Sequence, residues 1–297
     1  MENMTSIYDI AEAFGEETAR SIFITGKAGT GKTTFLRNLR AHTHKQMVVV
    51  APTGVAAINA EGVTIHSFFQ LPLSPFIPTP ENKKNLISKI KLRNEKRRIL
   101  RQIEVLVIDE ISMVRADILD EVDTVLRFVR HRKAEPFGGV QVILIGDLYQ
   151  LPPVTLSEDW AILQPFYKTS YFFDSCVIRE NPPIYIELDK IFRQNEADFI
   201  QLLNEVRNNQ LSEQGFELLQ SRYHPDFDLS KHQDHILLTT HNAKANSVNQ
   251  KELDRLHTKA YTFKAIIHGN FPERNFPNEV NLTLKKGAKV MFIANDL

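Results

Sequence analysis

The sequence contains the pattern G-x-x-x-x-G-K-[ST] at Gly26, Gly31, Lys32 and Thr33. Glycines let a backbone close tightly around an anion, and the positive N-terminal dipole of a following helix attracts phosphate. The pattern therefore predicts a loop that holds a nucleoside triphosphate, with Lys32 on the β- and γ-phosphates and the Thr33 hydroxyl on magnesium. The predicted nucleotide-binding residues are Gly26, Ala28, Gly29, Thr30, Gly31, Lys32, Thr33 and Thr34.

The residues on either side favour this prediction over an ordinary glycine-rich turn. Ile22, Phe23 and Ile24 form an apolar run typical of a buried strand. Phe35 and Leu39 then recur at helical spacing. A strand before the loop and a helix after it are the context that a phosphate-binding loop requires.

Polar side chains follow two further apolar runs. Residues 103–108 end at Asp109 and Glu110, and residues 140–145 end in a segment that contains Gln150. We predict that Asp109 binds magnesium and that Glu110 is the base that activates water. Gln150 is predicted to hold that water or to sense the γ-phosphate. The alternative for Asp109 and Glu110 is that they are two solvated acids at the end of a strand. The alternative for Gln150 is that it lies in a polar turn.

The predicted nucleotide-binding and catalytic residues are far apart in the sequence, so a shared sheet must bring them together. Apolar runs at residues 22–24, 47–51, 103–108 and 140–145 alternate with helical segments, which predicts a parallel sheet covered on both faces. Ligands of such sheets bind beyond the carboxyl ends of the strands. We therefore expect one crevice to collect the polar residues that follow each run.

Length and composition limit the classes of protein. The chain of 297 residues suggests two domains, and its formal net charge of zero leaves polyanion binding to local patches. The single cysteine, Cys176, excludes an intramolecular disulfide and suits a reducing compartment. With no membrane-length apolar run and no secretion or transit signal in the sequence, we expect a cytoplasmic location, at a bacterial nucleoid.

Six segments taken together resemble the ordered motifs of a superfamily-1 helicase. They are GKAGTGKTT, APTGVAA, HSFF, VLVIDEISM, GDLYQLPPV and FRQ at Phe192 to Gln194. Within that superfamily the chain resembles most the petite-integration-frequency (Pif-one) family, relatives of the RecD helicases. Ser112 to Arg132 is similar to that family's signature segment, and its apolar stripe also predicts an amphipathic helix that is mostly core.

The resemblance implies an α/β fold with two RecA-like domains that carry parallel sheets and close on ATP. It implies an ATP hydrolase with ATP and Mg²⁺ as cofactors. The motor would move 5′-to-3′ along single-stranded DNA and unwind duplexes. Its partners would be single-stranded DNA and forked or G-quadruplex DNA. It would bind no membrane and would be monomeric.

The resemblance also assigns residues to DNA. The family's Pro-Thr-Gly and His-Ser-Phe-Phe segments face the nucleic acid, which here gives Thr53, Gly54, His66 and Phe68. Their chemistry agrees, since a helix start can hold a phosphate and an aromatic ring can stack on a base. The alternative is that Phe68 lies in the core and His66 is a capping residue.

An insert follows, with a proline-rich loop and then a helix-compatible basic stretch. Residues 83–101 carry nine cations against one acid, Glu95, and we predict that Lys89, Lys91 and Arg93 contact DNA. In the family the corresponding insert, here about residues 70–101, is a small subdomain that guides the duplex. The alternative is a helix whose cations point to water.

The second half is predicted to form a second domain, 183–297, after a first domain at 1–182. By resemblance, Arg193 reaches across the cleft to the γ-phosphate, although a surface ion pair is the alternative. A strand at residues 236–240 leads into a helix, so we predict DNA contacts for Thr240, His241 and Asn242, with helix capping as the alternative.

The sequence departs from the family in two respects. No glutamine precedes Gln46, which leaves the reading of adenine open. The chain stops in a strand-like segment at Lys289 to Leu297, so we expect the second domain to be incomplete. Two other functions stay open: a DNA-binding nucleotide switch or assembly ATPase that does not unwind, and a small-molecule kinase.

Overall fold

The computed structural model describes residues 6–27, 29–189, 197–228, 231–232, 235–267, 276 and 278–291. The chain divides into two compact units, Met1–Gly215 and Phe216–Leu297. Among the described residues, no helix combines the length and the apolar character needed to cross a bilayer.

The first unit alternates strands and helices, as expected for an α/β fold. Its first half contains, in order, α1 (Ile7–Glu17), β1 (Ile22–Gly26), α2 (Lys32–His42), β2 (Met47–Ala51), α3 (Gly54–Asn59), β3 (Val63–Thr64), α4 (Ile65–Phe69), α5 (Pro80–Lys89), α6 (Asn94–Gln102) and β4 (Val105–Ile108). Its second half contains η1 (Ile111–Met113), α7 (Ala116–Val129), η2 (Pro136–Gly139), β5 (Gln141–Ile145), α8 (Ser157–Leu163), η3 (Phe172–Asp174), α9 (Cys176–Glu180), β6 (Ile184–Leu188) and α10 (Ala197–Arg207). The next helix, α11 (Glu213–Ser221), includes Gly215 and Phe216, between which the chain is divided into units.

Six parallel strands form one sheet in the order β3-β2-β4-β5-β1-β6. The predicted apolar runs become strands because both faces of the sheet are covered, which buries every residue of β1, β4 and β5. Neighbouring residues of a strand point to opposite faces. Phe23 therefore packs into one core cluster, and Ile24 packs into the other with Phe35 and Leu39 of α2.

The predicted domain boundary after residue 182 does not coincide with the division between the compact units. The strand Ile184–Leu188, expected to open the second domain, is β6 and pairs in parallel with β1, where Gly26 lies opposite Leu188. The division between the units comes after Gly215 instead. The strand joins the first sheet because the free edge of β1 offers it backbone partners and a buried face.

The insert at about residues 70–101 packs into the core of the first unit. Its loop and two helices contribute Phe76, Leu86, Leu92 and Leu100 to the cluster that contains α7. The predicted extended, proline-rich loop is present between α4 and α5. The basic stretch is two helices rather than one, because α5 ends at Lys89 and α6 begins at Asn94.

The second unit contains α12 (Asn242–Arg255) and an antiparallel pair formed by β7 (Ala260–Lys264) and β8 (Asn281–Lys285). The strand predicted at residues 236–240 is not formed in this structure. Its apolar side chains Ile236 and Leu238 are 82% and 89% exposed. A strand needs a hydrogen-bonded neighbour. Among the described residues of this unit, the only paired strands are β7 and β8.

Candidate active site

The loop between β1 and α2 has the geometry of a phosphate-binding loop. Gly26 has φ 151°, and a Cβ atom there would lie 2.5 Å from both the Leu188 carbonyl oxygen and the Thr30 hydroxyl. Gly31 precedes α2 with φ 87°, and its carbonyl accepts the Phe35 N–H at 2.7 Å. Only glycine fits these two positions without strain, so the loop depends on them. Ala28 lies outside the described residues.

Lys32, the first residue of α2, turns back over the loop. Its Nζ donates hydrogen bonds to the Gly26 carbonyl at 2.6 Å and to the Lys27 carbonyl at 3.2 Å. Burial lowers the pKa of Lys32, while the carboxylates of Asp147, Glu110 and Asp109 act to raise it. The ammonium group thus lies within electrostatic reach of three acids that follow the ends of two other strands.

Asp109 and Glu110 directly follow β4, as predicted. The Asp109 N–H donates to the Val50 carbonyl at 2.9 Å, which holds it beside β2. Burial raises the pKa of Asp109, against the opposing effects of the Glu110 N–H and Lys32. Burial also raises the pKa of Glu110, as does the charge of Asp109. Glu110 has the left-handed backbone angle φ 51°, an uncommon conformation for a non-glycine residue.

Sequence reasoning missed an ion pair at this site. Arg207, at the end of α10, donates from Nη1 to Oδ2 of Asp147, which follows β5. The guanidinium carbon of Arg207 also lies 4.2 Å from the ring centroid of Tyr149. Asp147 could have been suspected from its place in the GDLYQ segment, whereas nothing near Arg207 in the sequence indicates a role.

The structure describes only one of the two other predicted catalytic residues. Gln150 is exposed, and its backbone N–H donates to the Asp147 carbonyl at 3.0 Å in a turn after β5. Arg193 lies in the range 190–196, outside the described residues, so its predicted approach to the γ-phosphate stays a prediction. The same applies to the FRQ segment that contains it.

The residues present fit a magnesium ion. Thr33 and Thr34 are exposed in the first turn of α2, and Asp109 lies near Lys32. A hydroxyl and a carboxylate are the hard oxygen ligands that Mg²⁺ prefers, with phosphates and water as the usual remaining ligands. Thr33 and Asp109 would hold the ion, which neutralises phosphate charge when it is bound.

The predicted DNA contacts of the first unit at its helix starts are half-buried or buried. Thr53 caps α3, where its hydroxyl accepts the Ala56 N–H at 3.2 Å, and Gly54 begins that helix. His66 is half-buried, and burial lowers its pKa, as does the charge of Arg115. The prediction that Phe68 offers a face to a base is contradicted, because Phe68 is 5% exposed.

Phe68 is held inside the protein by two neighbours. Its ring centroid lies 4.9 Å from that of Phe69 in an edge-to-face arrangement. The ammonium group of Lys96, on α6, lies 4.1 Å from the centroid. Phe68 therefore joins α4 to the basic insert.

The three cations predicted to bind DNA lie around the break between α5 and α6. Lys89, Lys91 and Arg93 are exposed, and none forms an ion pair with a residue that the structure describes. Other cations of the insert contact protein instead, as Arg97 does with the Leu92 carbonyl and Arg101 with the Val129 carbonyl. The insert keeps free positive charge at this break.

The three predicted DNA contacts of the second unit lie at the start of α12. Thr240, His241 and Asn242 are exposed. The Thr240 hydroxyl lies 2.8 Å from Nδ1 of His241, and no side-chain cap is formed at this helix start. Their side chains are therefore accessible in this unit.

Comparison with known proteins identifies relatives of the chain. Residues 1–216 match the model of the PIF1-like helicase family. The ATP-dependent DNA helicase PIF1 of Emericella nidulans is 33% identical over 295 residues, which cover 94% of this chain and 38% of that protein. The ATP-dependent DNA helicase Pif1 of a Psychrobacter strain is 33% identical over 303 residues, covering 94% of this chain and 42% of that protein.

Solved structures of Pif1 helicases also match the chain. A Bacteroides Pif1 helicase in complex with ADP-AlF3 and ssDNA matches with a TM-score of 0.85 and 41% identity, covering 98% of this chain and 65% of that one. Bacteroides Pif1 bound to ssDNA matches with a TM-score of 0.84 and 39% identity, covering 100% of this chain and 66% of that one. The chain spans less than half the length of the Emericella and Psychrobacter helicases.

Proposed function

Because this chain belongs to the PIF1-like helicase family, we propose that it supplies the ATP site of an ATP-dependent DNA helicase. The observation that carries the proposal is that Lys32 lies within electrostatic reach of Asp109 and Glu110, beside a loop that requires glycine at Gly26 and Gly31. An isolated phosphate-binding loop would need no paired acids, whereas an ATP hydrolase uses a carboxylate for the metal and often a second one for water.

Each side chain has a defined task in this proposal. Lys32 exchanges its two backbone carbonyl partners for phosphate oxygens, and the N–H groups at the start of α2 bind the same phosphates. Glu110 accepts the proton of the attacking water. Gln150 orients that water, and Arg193 stabilises charge on the γ-phosphate.

DNA is the proposed partner because solved structures of relatives contain ssDNA. Thr53, Gly54 and the exposed cations Lys89, Lys91 and Arg93 are the proposed contacts of the first unit, and Thr240, His241 and Asn242 those of the second. Movement is proposed to run 5′-to-3′. A related structure concerns unwinding at forked dsDNA by two Pif1 helicases, and we propose forked DNA and G-quadruplexes as substrates here. Because the proposed substrate is DNA, we also propose a cytoplasmic location at the nucleoid.

Steady-state ATP hydrolysis with and without single-stranded DNA tests the proposal in the protein at its natural full length. We expect DNA to raise the turnover rate severalfold or more, and Lys32→Ala to abolish hydrolysis because the γ-phosphate loses its cation. Turnover that DNA does not change, but that a metabolite hydroxyl raises, would favour a small-molecule kinase. Nucleotide-dependent DNA binding without DNA-stimulated turnover would favour a switch or assembly ATPase.

A further inference from the structure

Arg207 organises the loop that follows β5. It binds the Asp147 carboxylate through Oδ2, while the other carboxylate oxygen, Oδ1, accepts the Tyr149 N–H at 3.0 Å. The Asp147 carbonyl accepts the Gln150 N–H at 3.0 Å. The backbone of this loop is therefore built around Asp147, and Arg207 is the side chain that orients the carboxylate of Asp147.

Stacking adds a second constraint on the same loop. The guanidinium group of Arg207 lies over the Tyr149 ring, although Tyr149 itself is 70% exposed. A planar guanidinium can pair with a carboxylate and cover an aromatic face at the same time, which an ammonium cannot do equally well. Arg207 thus holds the loop at Asp147 and again at Tyr149, one residue before Gln150.

The ion pair is largely buried and lies within electrostatic reach of the phosphate-binding lysine. Asp147 is 3% exposed, and the side chain of Arg207 is 13% exposed. Both charges act on Lys32, where Asp147 raises the pKa and Arg207 lowers it. A buried pair of this kind contributes little net stability but fixes geometry, because separating it leaves an uncompensated charge.

We propose that Arg207 is a positioning residue for ATP hydrolysis that holds the Asp147-to-Gln150 loop in the conformation that presents Gln150 to the γ-phosphate side of the nucleotide. The inference rests on the proposed function, since it assumes that Gln150 orients water. Arg207 acts through Asp147 and Tyr149 and contacts no reacting atom. Its loss should therefore slow the chemical step more than it weakens nucleotide binding.

The main test is the double variant Arg207→Met with Asp147→Asn, which removes both charges and leaves no buried charge unpaired. In the full-length protein we expect DNA-stimulated kcat to fall between about tenfold and a hundredfold, as for a misplaced catalytic group. The Kd of a fluorescent ADP analogue and the melting temperature should stay close to the wild-type values. Arg40→Met is the matched control, because it breaks a half-exposed ion pair, Arg40–Glu61, that is separate from the loop after β5.

A second pair of variants avoids any change in the buried pair. Tyr149→Ala removes the stacked ring from an exposed position and should lower kcat, whereas Tyr149→Phe keeps the ring and should preserve it. Wild-type turnover in the double variant would overturn the inference. So would equal losses of kcat, nucleotide affinity and melting temperature, which indicate structural damage.

The inference and the proposed function fail in different ways. If the wild-type protein shows no DNA-stimulated hydrolysis, the proposed function is wrong and the inference is lost with it. If the wild-type protein responds to DNA and the Arg207 and Tyr149 variants respond equally well, only the inference is wrong.

Discussion

At the residue scale, Glu121 of α7 is a buried acid with no role at the ATP site. It is fully buried, and neither carboxylate oxygen has a hydrogen-bond partner among the described residues. Burial, together with the charge of Asp117, raises its pKa to about 9. The side chain is therefore protonated in the folded protein at neutral pH, and ionised in the unfolded chain.

This difference makes stability depend on pH. The folded state holds a proton that the unfolded state releases above its ordinary pKa of 4.5, so the contribution of Glu121 to stability falls as the pH rises from about 4.5 to about 9. We expect Glu121→Gln to remove this dependence, which is at most about 1.4 kcal/mol per pH unit. Urea unfolding of both proteins at several pH values between about 6 and 8 measures it.

Glu95→Gln is the control for this experiment, because Glu95 lies exposed on α6. It should leave the pH dependence of the wild-type protein unchanged. Parallel plots of unfolding free energy against pH for the wild-type and Glu121→Gln proteins would contradict the assignment, whatever the absolute stability of the variant.

At the element scale, α7 binds its surroundings through its acids as well as its apolar stripe. Asp117 accepts the Phe76 N–H at 3.0 Å, and Asp123 accepts the Phe137 N–H at 2.6 Å. Asp120 accepts the N–H groups at the start of α9, from Cys176 at 2.9 Å and Val177 at 3.0 Å. The predicted amphipathic helix is thus buried on its acidic face as well, because loop and helix N–H groups bind the carboxylates of Asp117, Asp120 and Asp123.

The C-terminal end of the same helix binds the basic insert through hydrogen bonds. Arg130, which follows α7, donates to the carbonyl groups of Leu100, Arg101 and Ile103 at the end of α6. Arg101 in return donates to the Val129 carbonyl at 3.0 Å. The insert is therefore a fixed part of this unit, and its exposed cations have a defined position.

The exposed cations give a prediction for DNA affinity. Replacing Lys89, Lys91 and Arg93 together by glutamine should lower the slope of log affinity for single strands against log salt by about 0.7 for each phosphate that the variant no longer neutralises. Fluorescence anisotropy over a salt series measures the slope. An unchanged slope would remove these residues from the DNA surface.

Arg20, Arg37 and Lys168 offer a matched control outside the insert, since all three are exposed. Their replacement by glutamine changes the net charge by the same amount. A slope that falls equally in both triple variants would indicate a general charge effect and no specific contact.

At the scale of the whole molecule, the proposed polarity is the property to test. Two RecA-like domains that move 5′-to-3′ load onto a 5′ single-stranded tail and then meet the duplex. We expect the full-length protein with ATP to separate a duplex with a 5′ tail and to leave one with a 3′ tail intact. A strand-displacement assay with labelled duplexes measures this, with Lys32→Ala as the inactive control. Preferred unwinding of the 3′-tailed duplex would reverse the proposed polarity.

Amino-acid order alone predicts the features that depend on short spacing. The loop from Gly26 to Thr34, the buried runs that form β1, β2, β4 and β5, and the acids after β4 all belong to this group. Each is encoded within a few residues, because glycine geometry, strand burial and helix starts are local properties. That is why the family and the predicted place of the ATP site follow from the order of the residues.

The features that join distant segments depend on the folded chain. Asp147 and Arg207 are 60 residues apart and pair only because the end of α10 packs against the loop after β5. Residues 184–188 join the first sheet through the free edge of β1, and Phe68 is buried because Lys96 and Phe69 cover it. These contacts depend on which surfaces remain uncovered once the sheet has formed, and a local sequence pattern does not contain that information.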